Sequence, residues 1–236
     1  MSYAQTVAAA SGPPRFLGER FDGGGRPLRA SGNTVIANLN EGAPLAALTA
    51  ARDALAATDA GPCFAWLPPS SYHMTLYDGL LHARRERGYW PTDLAMDVTD
   101  AEADAFMLAR LGACPPPGER AFRMILLGIE AGPGGGVGVA MGCEDAAEEA
   151  RLRGWRDRLA EAAGLAARPG HAAYAFHVTL AYAVAWADAD AAPAFDAALA
   201  QAGATLAARL PLVEAWPPLY CHFADMTRFD TVCALG

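Results

Sequence analysis

The sequence predicts an α+β fold, and three observations carry that reading. β-rich and helical stretches alternate irregularly, hairpin signals separate neighbouring β-rich runs, and the grammar of elements before a proline run at residues 115–117 is repeated after it. A doubly wound parallel sheet needs a regular strand-helix alternation, so antiparallel pairing is expected instead.

The elements follow in order. After a Gly/Pro/Ser-rich lead-in over residues 1–32, Thr34 to Leu39 (TVIANL) reads as a strand, and Pro44 to Thr58, rich in Ala and Leu, reads as a helix with Pro in its first turn. Cys63 to Leu67 is a second strand, and Pro68-Pro69-Ser70-Ser71 turns the chain into the short β-rich run Tyr72 to Asp78. Gly79 to Trp90 is polar and basic and reads as a surface loop. Asp100 to Leu111 has helical periodicity ended by Gly112 and the prolines, which places a break between halves near 112–120 of a domain spanning 33–236. In the second half, Ala121 to Glu130 and Val137 to Met141 read as strands. Gly132 to Gly138 between them reads as a hairpin turn, because a phosphate-binding loop must open a helix and this run continues as a strand. Glu144 to Gly164 is a helix whose early acidic residues and later arginines suit the helix dipole. Ala172 to Val184 is a strand, Asp188 to Leu210 a helix, and Pro211 to Leu235 contains two or three short strands.

Composition excludes several classes of function. The 236 residues are 53% hydrophobic and 19% charged, enough to bury a core without metal or disulfides. All 18 basic residues are arginines, and the net charge is −8, which argues against a protein that neutralises the phosphates of duplex DNA. Without lysine there is neither Schiff-base chemistry nor a P-loop. The five cysteines form no CxxC pair and read as buried small hydrophobes. No apolar run is long enough to span a membrane and the first residues lack a secretory pattern, so a soluble cytoplasmic protein is expected.

Two segments match when the chain is laid against itself: Tyr72-His73-Met74-Thr75-Leu76 and Phe176-His177-Val178-Thr179-Leu180. In a regular strand His73, Thr75 and Tyr77 share one face, as do His177, Thr179 and Ala181. His and Thr two positions apart stand roughly 7 Å from one another, a span that straddles one phosphate. Two such strands side by side would oppose two imidazoles across a cleft, one able to take a proton while the other gives one near neutral pH. Phosphodiester cleavage needs both roles. Tyr77 is a candidate for stacking on a base or sugar. Arg84, Arg85, Arg87 and Arg123 are candidate phosphate cations. His82, His171 and His222 have no matching frame and read as structural.

His-Met-Thr-Leu and His-Val-Thr-Leu resemble the His-x-[Ser/Thr]-apolar motif that occurs twice in the two-histidine (2H) phosphoesterase superfamily, which includes 2′-5′ RNA ligase-like proteins and cyclic phosphodiesterases. The segment Arg15 to Thr34 and the insert HARRERGYWP look most like a bacterial branch whose substrate is not established. The resemblance implies two pseudo-symmetric lobes, each an antiparallel sheet with outer helices, around a central cleft carrying the two motifs. It also implies catalysis by His73 and His177, phosphate contacts from Thr75 and Thr179, and no metal or cofactor. The expected activity is hydrolysis of a cyclic phosphate or small nucleotide phosphodiester. A nucleotide- or RNA-end-binding module, and 2′-5′ RNA ligation or trimming, are the alternatives. The partner expected is therefore a small phosphoester or nucleotide, or an RNA end, with neither duplex DNA nor membrane.

Overall fold

Ser2 and Gln5 each bond the other's backbone N–H, and this capping box starts a helix that the sequence reading missed, α1 (Tyr3–Ala9). The chain is seen in a computed structural model that describes residues 1–132 and 134–235. The Asp196 carboxylate accepts from the backbone N–H groups of Tyr3 and Ala4 at 2.7 and 3.0 Å, docking α1 onto the last helix. Farther on, Phe16 and Phe21 pack 5.5 and 5.3 Å from the Tyr182 ring, and the Ala30 N–H donates to the Ala224 carbonyl at 2.9 Å. The lead-in is thus bonded to the body of the fold along its length.

The expected strands and helices form, and they assemble as an α+β fold of two antiparallel sheets with five helices. One sheet contains β1 (Gly32–Asn38), β3 (His73–Leu81), β8 (Leu219–Asp225) and β9 (Arg228–Ala234), in the order β3-β1-β8-β9. The other contains β2 (Phe64–Trp66), β4 (Phe122–Ala131), β5 (Gly136–Cys143), β6 (His177–Ala183) and β7 (Val213–Ala215), in the order β2-β6-β5-β4-β7. β3 extends into the stretch expected as loop. The glycine-rich run between β4 and β5 is a hairpin turn, with Gly132 N–H donating to Gly136 at 2.8 Å, apart from position 133, which lies outside the described residues.

The two halves of the sequence exchange strands. β2 comes from the first half but pairs with β6, whereas β8 and β9 come from the end of the chain and extend the sheet begun by β1 and β3. Residues 112–120 therefore form a crossover between sheets, each of which draws on both halves.

The remaining helices are α2 (Gly42–Ala56), α3 (Asp100–Gly112), α4 (Ala146–Ala162) and α5 (Ala192–Arg209). α3 is opened by a capping box of Thr99 and Glu102, and α4 by Asp145, which accepts from the Glu148 N–H at 2.7 Å. α5 lies across β4 and against α2, and its close approach depends on Gly203: a Cβ there would meet the Ile129 nitrogen at 3.0 Å. α4 reaches β3, β4 and β5 and buries Leu152, Trp155 and Leu159. Burial of this apolar material holds the sheets together where β3 and β6 approach one another.

Candidate active site

The register of the two motif strands explains which side chains share a face. Residues directly opposed in antiparallel strands point to the same side. In β3, His73 and Thr75 oppose Asn38 and Ile36 of β1, but the next pairs are Tyr77 with Val35 and Asp78 with Thr34, so Leu76 is a bulge residue. β6 does the same: His177 and Thr179 oppose Ala140 and Gly138 of β5, Leu180 is the extra residue, and Ala181 and Tyr182 oppose Val137 and Gly136. The internal repeat therefore extends to backbone conformation. Each bulge moves the face by one residue, and Asp78 and Tyr182 continue the His-Thr faces.

This corrects the expectation that Tyr77 and Ala181 line those faces. Tyr77 is 1% exposed and on the side of Met74 and Val35, with the His171 ring 6.3 Å away. A buried ring on that side is packing, with no surface to offer a base or sugar.

The two imidazoles are held in the same way. His73 Nδ1 lies 2.7 Å from the Ser71 carbonyl, and His177 Nδ1 lies 2.9 Å from the Ala175 carbonyl, each two residues back along the chain. A carbonyl only accepts, so each Nδ1 carries hydrogen and each neutral ring has its lone pair on Nε2. Among the described residues neither Nε2 has a hydrogen-bond partner. One can accept a proton and the other, once protonated, can donate one.

Their surroundings differ. His73 packs on Phe229 of β9, with ring centroids 4.1 Å apart, whereas His177 is exposed and has Tyr174 at 6.1 Å. Burial pushes the His73 imidazolium down to about 4, the Ser71 carbonyl opposes that shift, and the charge of His177 adds to it. The two histidines lie on β3 and β6, strands of different sheets that contact one another.

Thr75 and Thr179 are both partly exposed, two positions from their histidines. Burial raises the Tyr174 phenol above its ordinary value, and Asp78 raises it further against the opposing influence of Arg156 and the Thr75 hydroxyl. Tyr182 is likewise raised by burial, against the pull of Arg20 and the Thr179 hydroxyl.

Under the site, α4 supplies Arg156, a guanidinium 1% exposed. Its Nη1 donates to the carbonyl of the bulge residue Leu76 at 2.5 Å, its Nη2 lies 3.4 Å from the Asp78 carboxylate, and its Cζ is 4.1 Å from the Tyr174 ring centroid. A bulge takes a residue out of the ladder, and here a buried arginine binds its carbonyl. Asp78 is thereby engaged as the partner of a cation.

Three of the four arginines expected as phosphate cations have other work. Arg84 pairs with Glu86, and Arg123 pairs with Glu144 at 2.8 Å. Arg85 binds the Asp100 carboxylate at 2.7 Å and the carbonyls of His82, Met96 and Val98, fastening the loop after β3. Arg87 is exposed. His82 and His171 sit 2.9 and 2.8 Å from Asp104 and Asp157, and His222 is 3.8 Å from Asp104, as suits structural histidines. The five cysteines are free thiols. No helix among the described residues is long and apolar enough to cross a membrane.

Sequence reasoning missed Phe229, Tyr174, Tyr182, Arg156 and Arg20. Only Tyr174 and Tyr182 had a signal, their closeness in sequence to His177; the others reach the site through tertiary folding.

Comparison with known proteins bears on the family and the fold. The family model 2H-phosphodiest, described as a domain of unknown function (DUF1868), matches residues 20–133, a span that holds the first His-x-Thr motif. The crystal structure of a conserved protein of unknown function, ATU0111 from Agrobacterium tumefaciens, superposes with a TM-score of 0.89. It is 32% identical over 97% of this chain and 96% of its own, so the likeness takes in both motifs. No curated protein matches the chain. With two bulged His-x-Thr strands set in that fold, the chain belongs to the 2H phosphodiesterase family described as a domain of unknown function (DUF1868).

Proposed function

We propose that the protein is a metal-independent phosphodiesterase that opens the cyclic phosphate of a small nucleotide, a nucleoside 2′,3′-cyclic phosphate being the simplest such substrate. Family membership supports phosphoester chemistry. The observation that carries the finer reading is the pair of imidazoles, each with Nδ1 fixed on a carbonyl and Nε2 free.

The difference between their surroundings supports one division of the roles. His73, covered by Phe229 and lowered to about 4, is neutral at pH 7 and acts as the base. Its Nε2 takes a proton from water as the water oxygen bonds to phosphorus in line with the leaving ribose oxygen. His177, which is exposed, gives its Nε2 proton to that oxygen as the P–O bond breaks. One water is consumed and one phosphomonoester results, with the two histidines left in exchanged protonation states that solvent resets. The hydroxyls of Thr75 and Thr179 donate to the non-bridging oxygens as charge develops.

The test is turnover of the four nucleoside 2′,3′-cyclic phosphates by wild-type protein with chelator present. A monoester product, with activity falling as pH drops through the His73 titration, is the expected result. Calorimetric binding of a nucleotide by folded protein without any product would replace this reading with the binding-module alternative. The net charge of −8 disfavours long RNA substrates, and a steep loss of affinity with salt would bring them back.

A further inference from the structure

We propose that Arg20, carried by the segment before β1, is the specificity-determining cation of the cleft and binds the anionic oxygens of the substrate's phosphate on the Thr179 side. The inference rests on the phosphoester reading and adds to it the residue that recognises charge.

Arg20 stands between two aromatic anchors. Phe16 and Phe21 both pack on Tyr182, at 5.5 and 5.3 Å, and Tyr182 lies on the His177-Thr179 face beyond the Leu180 bulge. The Arg20 backbone is fixed from both sides, its N–H donating to the Phe16 carbonyl at 2.9 Å and its carbonyl accepting from the Leu28 N–H at 2.8 Å. Its guanidinium rests against the Met226 thioether and 5.6 Å from the Phe16 ring centroid. Burial raises the Tyr182 phenol, and the Arg20 charge and the Thr179 hydroxyl both oppose that rise.

Among the described residues Arg20 has no countercharge, a property shared among the partly buried arginines with Arg168, whose guanidinium is taken up by the Asp78 and Gly79 carbonyls. Arg84, Arg85, Arg123 and Arg156 each have a carboxylate partner, whereas Arg20, partly buried against a thioether and aromatic rings, has none among the described residues. A partly desolvated guanidinium without a carboxylate gains most from an arriving anion, and its planar donors suit phosphate oxygens. Because Phe16 and Phe21 hold the segment, little ordering is needed when the anion binds.

The experiment is calorimetric titration of adenosine 2′- and 3′-monophosphate and of inorganic phosphate into wild type, Arg20→Met, Arg20→Lys and the exposed control Arg15→Gln, with KM and kcat measured for the cyclic substrate. Arg20→Met keeps the apolar packing, and a thermal melt within a few degrees of wild type confirms the fold. Expected are an affinity loss of about ten- to a hundredfold in Arg20→Met, a matching rise in KM with kcat changed less than about threefold, partial recovery in Arg20→Lys, and Arg15→Gln within about twofold of wild type. Equal affinity in wild type and Arg20→Met overturns the inference and leaves the phosphoester reading intact. A wild-type protein that binds none of the three ligands and turns nothing over overturns both.

Discussion

Replacing Phe229 by Ala should move the titration of His73, a residue on a different strand and far away in sequence. The ring centroids are 4.1 Å apart, and burial is the largest cause of the fall of His73 from its ordinary 6.5 to about 4. That difference determines how much base is available. At pH 5 a group titrating at about 4 is about nine-tenths neutral. If the phenyl ring is responsible for half the shift, the neutral fraction at pH 5 drops to about four-tenths in Phe229→Ala; if it is responsible for all of it, to about one thirtieth. At pH 7 the same variant keeps about three-quarters or more of its base, so the defect is an acid-side defect. The pH dependence of stability has a matching sign. A lowered histidine binds fewer protons folded than unfolded, so stability falls as pH drops from 6.5 towards 4, by up to about 3 kcal/mol in wild type, and this acid penalty shrinks in the variant. The assay is an NMR titration of the His73 Cε1 proton in wild type, Phe229→Ala and Phe229→Leu, the last keeping apolar cover. A wild-type midpoint near 6.5, or identical midpoints in wild type and Phe229→Ala, would refute the assignment of His73 as the buried base.

Two other substitutions probe the support of the site. Arg156→Met leaves the Leu76 carbonyl and the Asp78 carboxylate without their partner, so a loss of about 3–5 kcal/mol and a melting temperature lower by on the order of 10 °C are expected; a melt within about 3 °C of wild type would show that the bulge does not depend on it. Tyr77→Phe removes a buried hydroxyl that has no hydrogen-bond partner, so stability should stay within about 1 kcal/mol and turnover should be unchanged. More than about a fivefold loss of kcat/KM in that variant would return Tyr77 to the site.

The His-x-Thr repeat and the order of strands and helices were legible because each depends on neighbours in sequence. The periodicity of residues 100–111 and the acidic start of the helix after Cys143 are local signals, and both helices form close to where they were read. The features that escaped are those that sequence neighbours do not decide. A bulge at Leu76 is a choice of backbone register, and strict alternation misassigned Tyr77 for that reason. Pairing of β2 with β6, and of β8 with β1, joins strands with much of the chain between them. Phe229 lies near the end of the sequence and meets His73 only after that pairing. The arginine-rich loop misled in the other direction, because a run of cations suggested phosphate while Glu86 and Asp100 already compensate Arg84 and Arg85.

The central claim is that His73 and His177 work as one acid-base unit on a phosphodiester. It is tested most directly by phosphorus NMR of cyclic nucleotide turnover, with chelator present, in wild type, His73→Ala, His177→Ala and the double variant. The account predicts a new monoester signal in wild type and a loss of on the order of 10² to 10⁴ in each single variant. The double variant should be no more than about tenfold worse than the poorer single one, since neither proton transfer is useful without the other. Wild-type rates in either single variant, or losses that multiply in the double, would contradict it.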